Sequence, residues 1–381
     1  VAAERGERVA VIALRDGLHS TPVGHFGPLR IVRLRGRKRR GSLGKYVVEY
    51  MDFLLRAYRL MQRDPRFQQA RVVHVHSLPD FLVAAALPAR RRGAGVILDL
   101  HEILPEFTGT KFHGWLGEAG ERMARHVERW SRRQADVTVT VNRAVGSLLR
   151  SRPASPDERV SVVHNITSPD DFGPPQLTTA QGKPPWRLTY HGTLTPLYGL
   201  DLALEALALA RRRGGAFHYD IFGSGPHAIA LRQDTERLRL TDVVRFHGAV
   251  SHHALRQQLP GMDAGFLATR LDAMTRYSLS TKLLEYVHMG IPVIAPRIPT
   301  YLEYFPEHVF FYFRPDDADD AARALAAFAA SAPAERVARA VAAQAATREL
   351  VWSGEARRLR RIYDELLAGA DARRSSLDRP A

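Results

Sequence analysis

Short Val- and Ile-rich segments alternate with amphipathic ones almost from end to end, and this alternation is the strongest constraint on the fold. In the first half the strand candidates are 8–14, 29–34, 71–76, 96–100, 136–141 and 160–163, with helical patterns at 45–62, 80–92 and 115–134. In the second half strands are expected at 187–190, 217–222, 243–246, 264–267, 292–295 and 309–313. Helices there are expected at 200–213, 227–238, 252–259, 281–289 and 317–330. Continuous apolar strands separated by helices imply parallel sheets covered on both faces. The predicted class is α/β, with two Rossmann-like, doubly wound domains facing each other across a cleft.

The expected boundaries are an N-terminal domain over 1–172, a linker over 173–186 and a C-terminal domain over 187–350. A C-terminal helix over 351–369 and a disordered tail over 370–381 follow. The linker is marked by Gly173-Pro174-Pro175 and Gly182-Lys183-Pro184-Pro185, which break any periodicity. The chain opens on Val1-Ala2-Ala3-Glu4-Arg5-Gly6, which reads as the last turn of a helix with a glycine cap. A doubly wound domain normally begins with a strand, a Gly-rich turn and a helix. The expectation is therefore that 8–14 is the second strand and that the first strand, its loop and most of its helix are missing.

Composition removes several classes of chemistry. With 0 cysteines there are no disulfides, thiolate zinc sites, iron–sulfur clusters or Cys nucleophile. No apolar run is long enough for a transmembrane helix. The formal net charge of +15 is uneven: residues 1–45 hold 11 basic and 3 acidic residues, and Arg35, Arg37, Lys38, Arg39 and Arg40 form the densest run. That run suits an anionic membrane surface or a phosphorylated substrate, and equally a solvated loop in an arginine-rich chain. A nucleic-acid partner is not expected. The setting expected is cytoplasmic, with peripheral attachment to the inner membrane face as an extension of the basic run.

Ligands of open parallel sheets bind beyond the carboxyl ends of the strands. In the second half those ends carry His191-Gly192-Thr193-Leu194, Gly223-Ser224-Gly225-Pro226 and His247-Gly248, and then Ser278-Leu279-Ser280-Thr281-Lys282, which opens a helix. Backbone amides at a helix start, with the dipole behind them, favour phosphate. Lys282 adds a point charge, and Glu285, three residues on, can accept hydrogen bonds from two adjacent sugar hydroxyls. The layout is that of a nucleotide-diphosphate site. Asp316, Asp317, Asp319 and Asp320 follow Pro315 and precede a helical run, so they read as helix caps rather than metal ligands.

Over residues 70–370 the chain resembles a GT-B glycosyltransferase of the family 4 type. The resemblance rests on Asp99-Leu100-His101-Glu102 with Pro105-Glu106, on Asp136 with Thr138–Asn142, and on Val163-His164-Asn165. It continues through Tyr190–Leu194, Tyr198–Asp201, Phe222–Pro226 and Phe246–Gly248. Its most specific part is Ser280–Tyr286 followed by Met289–Ala295. The resemblance implies transfer of a sugar from a nucleotide-diphosphate sugar to an unknown acceptor, with retention at the anomeric carbon. It implies that Glu285 holds the ribose, that Gly192, Thr193, Ser280, Thr281 and Lys282 surround the diphosphate, and that Gly223 and Gly225, with the turn at Gly248, shape the sugar and base pockets. It places His101 near the reaction centre as the catalytic residue and Asn165 near the hinge. No cofactor and no metal are expected.

Three positions depart from the family pattern. Tyr277 stands where a glutamate often lies, with Asp272 or a backbone group as the substitutes at hand. Thr193 and Tyr198 stand where an Arg and a Lys are common, which shifts phosphate charge onto Lys282. The Gly-rich acceptor loop of the first domain has no counterpart in the sequence. Two other readings share the architecture: a sugar-nucleotide epimerase, and a non-catalytic protein that binds sugar nucleotides or polyanions.

Overall fold

The computed structural model describes residues 6–15, 23–27, 29–35, 43–77, 79–111, 115–167, 172–176 and 182–377. They form two units, residues 1–164 with 355–381, and residues 165–354. In unit 2, β8 (Trp186–His191), β9 (Phe217–Phe222), β10 (Val244–Gly248), β11 (Ala264–Phe266), β12 (Val293–Pro296) and β13 (Phe311–Phe313) make one sheet. Its order is β10-β9-β8-β11-β12-β13 and every pairing is parallel. The chain winds outward through β8, β9 and β10, then returns to place β11 beside β8. The reversal of strand order between β8 and β11 is where such sheets open a ligand crevice. Strand residues such as Leu188, Tyr219, Ile221, Phe266 and Ile294 are buried in one apolar cluster with the covering helices.

Unit 1 is assembled differently. β4 (Val72–His76), β5 (Gly95–Leu100), β6 (Val137–Thr140) and β7 (Val160–Val162) form a parallel four-stranded sheet in that order. A second sheet pairs β1 (Val9–Arg15) parallel to β3 (Leu29–Arg35), and β3 antiparallel to β2 (Val23–Phe26). Among the described residues no ladder joins β1 to β4, although Ile12 of β1 and Val73 of β4 pack on one cluster of Met61, Phe67, Ala89 and Ala94. Beneath the four-stranded sheet lies a buried ionic network. Arg132 donates to Glu128 at 3.0 Å and to both oxygens of Glu158 at 2.7 Å, and Arg152 bridges Glu106 and Glu128 at 2.7 Å each. Asp80 sits beside this network, 1% exposed, with neither carboxylate oxygen hydrogen-bonded. Burial and the Glu128 charge push its pKa up to about 7, against the pull of Arg132 and Arg152.

The structure corrects several boundaries. Unit 2 begins at Asn165 rather than after residue 172, so Asn165 falls on the division itself. The last helix runs from Trp352 to Leu377, and the disordered tail expected from residue 370 is helical as far as Leu377. Ala370 is buried there, Arg373 donates to Gly93 O at 3.1 Å, and Arg374 donates to Ala70 O at 2.7 Å. The helix closes unit 1 by laying Ile362 and Leu366 on Ile97, Val137 and Val139. At its start the Glu355 carboxylate accepts the His164 amide at 3.1 Å and lies 3.0 Å from His164 Nδ1. The helix expected over 80–92 is a 3-10 turn, Asp80–Ala86, followed by Leu87–Arg91. Pro88 cannot donate into a continuous α-ladder, which suits the change of helix type there. Of the basic run, Arg37, Lys38, Arg39 and Arg40 lie outside the described residues; Arg35 closes β3.

Candidate functional site

At the β8–β11 reversal the strand ends of unit 2 converge through their backbones. Gly192 donates to Phe222 O at 2.8 Å, Gly223 to Gly248 O at 2.7 Å, and Leu194 to Ser224 O at 3.0 Å. Two glycines make this possible. At Gly192 (φ +125°) a Cβ would lie 2.2 Å from Lys282 Cε, and at Gly223 (φ +146°) it would lie 1.8 Å from Gly192 O. Neither conformation nor space admits a side chain. Gly225 sits just beyond, over Leu194. The Thr193 carbonyl accepts from Tyr190 Oη at 2.8 Å, which pins the loop.

The helix Thr281–His288 starts beside these turns. Its Lys282 Nζ lies 3.7 Å from the centre of the Tyr198 ring and 5.7 Å from that of Tyr190. Burial lowers the lysine pKa to about 8, with the Glu285 charge opposing. Tyr198 thus supplies a π face where the family pattern often has a cation. Glu285 accepts on Oε2 from His191 Nε2 in a short contact, and His191 packs edge-on against Tyr286 at 4.8 Å. Ser280 begins the helix without capping it through its side chain. Tyr301, whose pKa burial raises to about 12 against the pull of Thr269 and Ser280, is buried nearby.

The departures have local explanations. Asp272 Oδ1 accepts from the Met274 and Thr275 amides at 2.8 and 2.7 Å, so this oxygen is engaged within its own turn. Tyr277 has Arg276 over its ring at 5.5 Å. Arg270, in the loop after β11, is held by Asp201 and by Asp316 at 3.0 Å, while Lys282 lies against the Gly192 turn. Asp317 caps the helix Ala318–Ala330 by accepting from Asp320 N at 2.8 Å, while Asp319 and Asp320 pair with Arg323.

His101 belongs to unit 1, just past β5. There Asp99 Oδ2 lies 3.2 Å from His74 Nε2, 3.2 Å from His76 Nδ1 and 3.3 Å from His101 Nε2. Burial opposes ionisation of Asp99, but hydrogen bonds from His101, His74 and His76 hold its carboxyl well below the ordinary range, and Asp99 in turn raises the His101 pKa. The sequence reading missed His74 and His76, although a His-x-His strand end beside Asp-x-His was visible. It also missed His191 as the partner of Glu285.

A doubly wound sheet with glycine turns and a lysine-bearing helix start at its reversal is the layout that α/β enzymes use for nucleotides. Residues 2–171 match Glycosyltransferase Family 4 and residues 185–331 match Glycosyl transferases group 1, which together take in most of both units. The chain belongs to this glycosyltransferase family and has the GT-B fold. Sucrose-phosphate synthase from Thermosynechococcus elongatus superposes with TM-score 0.75 at 16% identity, over 96% of this chain and 90% of that one. HepE of Anabaena, solved in complex with UDP-glucose, gives TM-score 0.65 at 16% identity over 88% and 86%. In sequence, WcaL of Escherichia coli, assigned as a colanic acid biosynthesis glycosyltransferase, is 33% identical over 103 residues, 27% of this chain and 25% of that protein. Amylovoran biosynthesis glycosyltransferase AmsK of Erwinia amylovora is 27% identical over 154 residues, 39% of this chain and 37% of that protein. The matched region thus spans only a quarter to about a third of these curated relatives.

Proposed function

We propose that unit 2 binds a nucleoside-diphosphate sugar at the β8–β11 reversal and that the enzyme transfers its sugar, with retention, to an acceptor recognised by unit 1. The placement of Lys282 and Glu285 on one helix, against the Gly192 turn, carries the reading. Bond breaking places growing charge on the leaving diphosphate. A buried ammonium and a helix start meet that charge without reorganising. Phosphate beside Lys282 raises the pKa that burial lowers, so binding and charge reinforce each other. His191 fixes one Glu285 oxygen and thereby orients the carboxylate for the ribose hydroxyls. Gly192, Thr193, Ser280 and Thr281 line the diphosphate, and Gly223 and Gly225 leave room for the sugar. His101 acts at the reaction centre. Lys282 and the helix start meet the diphosphate charge in this reading, so it assigns no metal to the diphosphate.

HepE, solved with UDP-glucose, makes UDP the first donor nucleotide to try. On the same proposal the reaction is cytoplasmic. Among the described residues no helix is long and apolar enough to cross a membrane. The test is a thermal-shift panel of UDP-, GDP-, ADP- and dTDP-sugars, because a ligand of the native state raises its apparent stability. One nucleotide family should raise the melting temperature, and Glu285→Ala should abolish the shift. A shift that survives Glu285→Ala overturns the site.

A further inference from the structure

We propose that His74, His76 and Asp99, joined by His101, form a binding site for a divalent transition-metal ion, best suited to Zn2+. The strand geometry builds it. His74 and His76 alternate by two along β4 and so share a face. Asp99 stands opposite His76 in the parallel register, and His101 follows two residues later. The ligand atoms of His74, His76 and Asp99 thereby lie within 4.8 Å of one another, with His101 Nε2 alongside Asp99 and His76. The three imidazole-to-carboxylate distances are 3.2, 3.2 and 3.3 Å, and His76 Nδ1 lies 3.3 Å from His101 Nε2. Ligand atoms about 2.0–2.1 Å from a tetrahedral zinc stand about 3.3–3.4 Å apart.

The chemistry agrees with the spacing. Three imidazole nitrogens and one carboxylate favour Zn2+, Co2+ or Ni2+ over Mg2+ or Ca2+, which take oxygen shells. His74 is held from behind by Tyr363 Oη, 2.7 Å from its Nδ1, so its Nε2 is aimed at the site. Such an outer partner fixes tautomer and ring orientation. Without an ion, three imidazoles crowd one carboxylate oxygen, and His76 and His101 turn nitrogens toward each other. The His74 and His76 rings stack at 4.4 Å and 15°, so sharing an ion requires one ring to turn. His76, with a side chain 61% exposed, is free to do so. Resting on the sugar-transfer reading, one consequence follows: an ion that takes the His101 Nε2 lone pair withdraws it from the reaction centre and slows turnover.

The experiment uses the full chain, stripped with EDTA, dialysed and titrated with ZnSO4 by calorimetry, and with CoCl2 followed by its visible absorption. One ion per chain should bind. His76→Ala should weaken binding by about 100-fold or more and Asp99→Asn should weaken it comparably, while Tyr363→Phe should weaken it by about 10-fold. Glu285→Ala should leave it unchanged. No stoichiometric uptake by the wild type, or undiminished uptake by folded His76→Ala, overturns the site. UDP titrated into the same samples reports on unit 2 alone, so failure of the metal site and failure of the sugar-nucleotide reading are separate results.

Discussion

In unit 2 the ends of β8, β9 and β10 meet through main-chain atoms, with Gly192 and Gly223 removing every Cβ that would keep them apart. At the ends of β4 and β5 in unit 1, four side chains meet instead, around Asp99. The interiors also differ: among the described residues unit 2 gathers its core into one large apolar cluster, although it buries Asp220 and Arg336, whereas unit 1 buries the connected ionic network of Glu128, Arg132 and their partners beside Asp80. A main-chain junction tolerates almost no added atom, whereas a side-chain junction is adjusted one group at a time. Unit 2 should therefore be brittle at its turns, and unit 1 should be sensitive to protonation.

The largest effect is expected at Gly223. Gly223→Ala forces a Cβ against Gly192 O and should cost about 3 kcal/mol or more in urea unfolding, with loss of UDP binding. Gly248, also at positive φ but with nothing within 4 Å of its Cβ position, should cost only about 1 kcal/mol as Ala. Equal losses at both positions would show that the close main-chain approach is not what makes the unit 2 junction brittle.

Next comes Asp80. Its folded pKa of about 7 lies above the ordinary 3.8, so between those values the native state holds a proton that the unfolded chain has released. Stability from this group is full below about pH 4 and is lost as the pH rises toward 7. Asp80→Asn should therefore stabilise the protein by about 2–4 kcal/mol at pH 8, and the gain should fade by pH 4. A gain independent of pH in thermal melts would show that the charge is not the cause.

Lys282→Met tests whether the unit 2 site trades stability for binding. Removing a buried ammonium whose pKa has fallen from 10.5 to about 8 should stabilise the free chain by about 1–3 kcal/mol at pH 7. UDP affinity should fall about 10–100-fold. In the wild type that affinity should decline above about pH 8, as the lysine loses its proton. Calorimetry that finds UDP binding intact in Lys282→Met would remove the ammonium from the site.

The sheets were legible because strands such as β5 and β12 are short, mostly apolar runs buried throughout. β2 was missed because Val-Gly-His-Phe carries no period, and its pairing with β3 depends on a partner rather than on itself. The helix Pro333–Ala346 was missed because seven of its fourteen residues are alanine, which leaves no strong apolar stripe. In the site, Lys282 and Glu285 could be read from their spacing on one helix. The cluster around Asp99 could not, because its members are brought together by the register of neighbouring strands. The end of the last helix was misplaced for a similar reason: Arg373 and Arg374 find their carbonyl partners about 280 residues earlier.

That last helix also sets an order of manufacture. A ribosome makes the whole of unit 2 before residues 355–377, which unit 1 needs to cover Ile97, Val137 and Val139. The half of the enzyme translated first is thus the half completed last. A truncation just after residue 354 would injure unit 1 while leaving unit 2 whole.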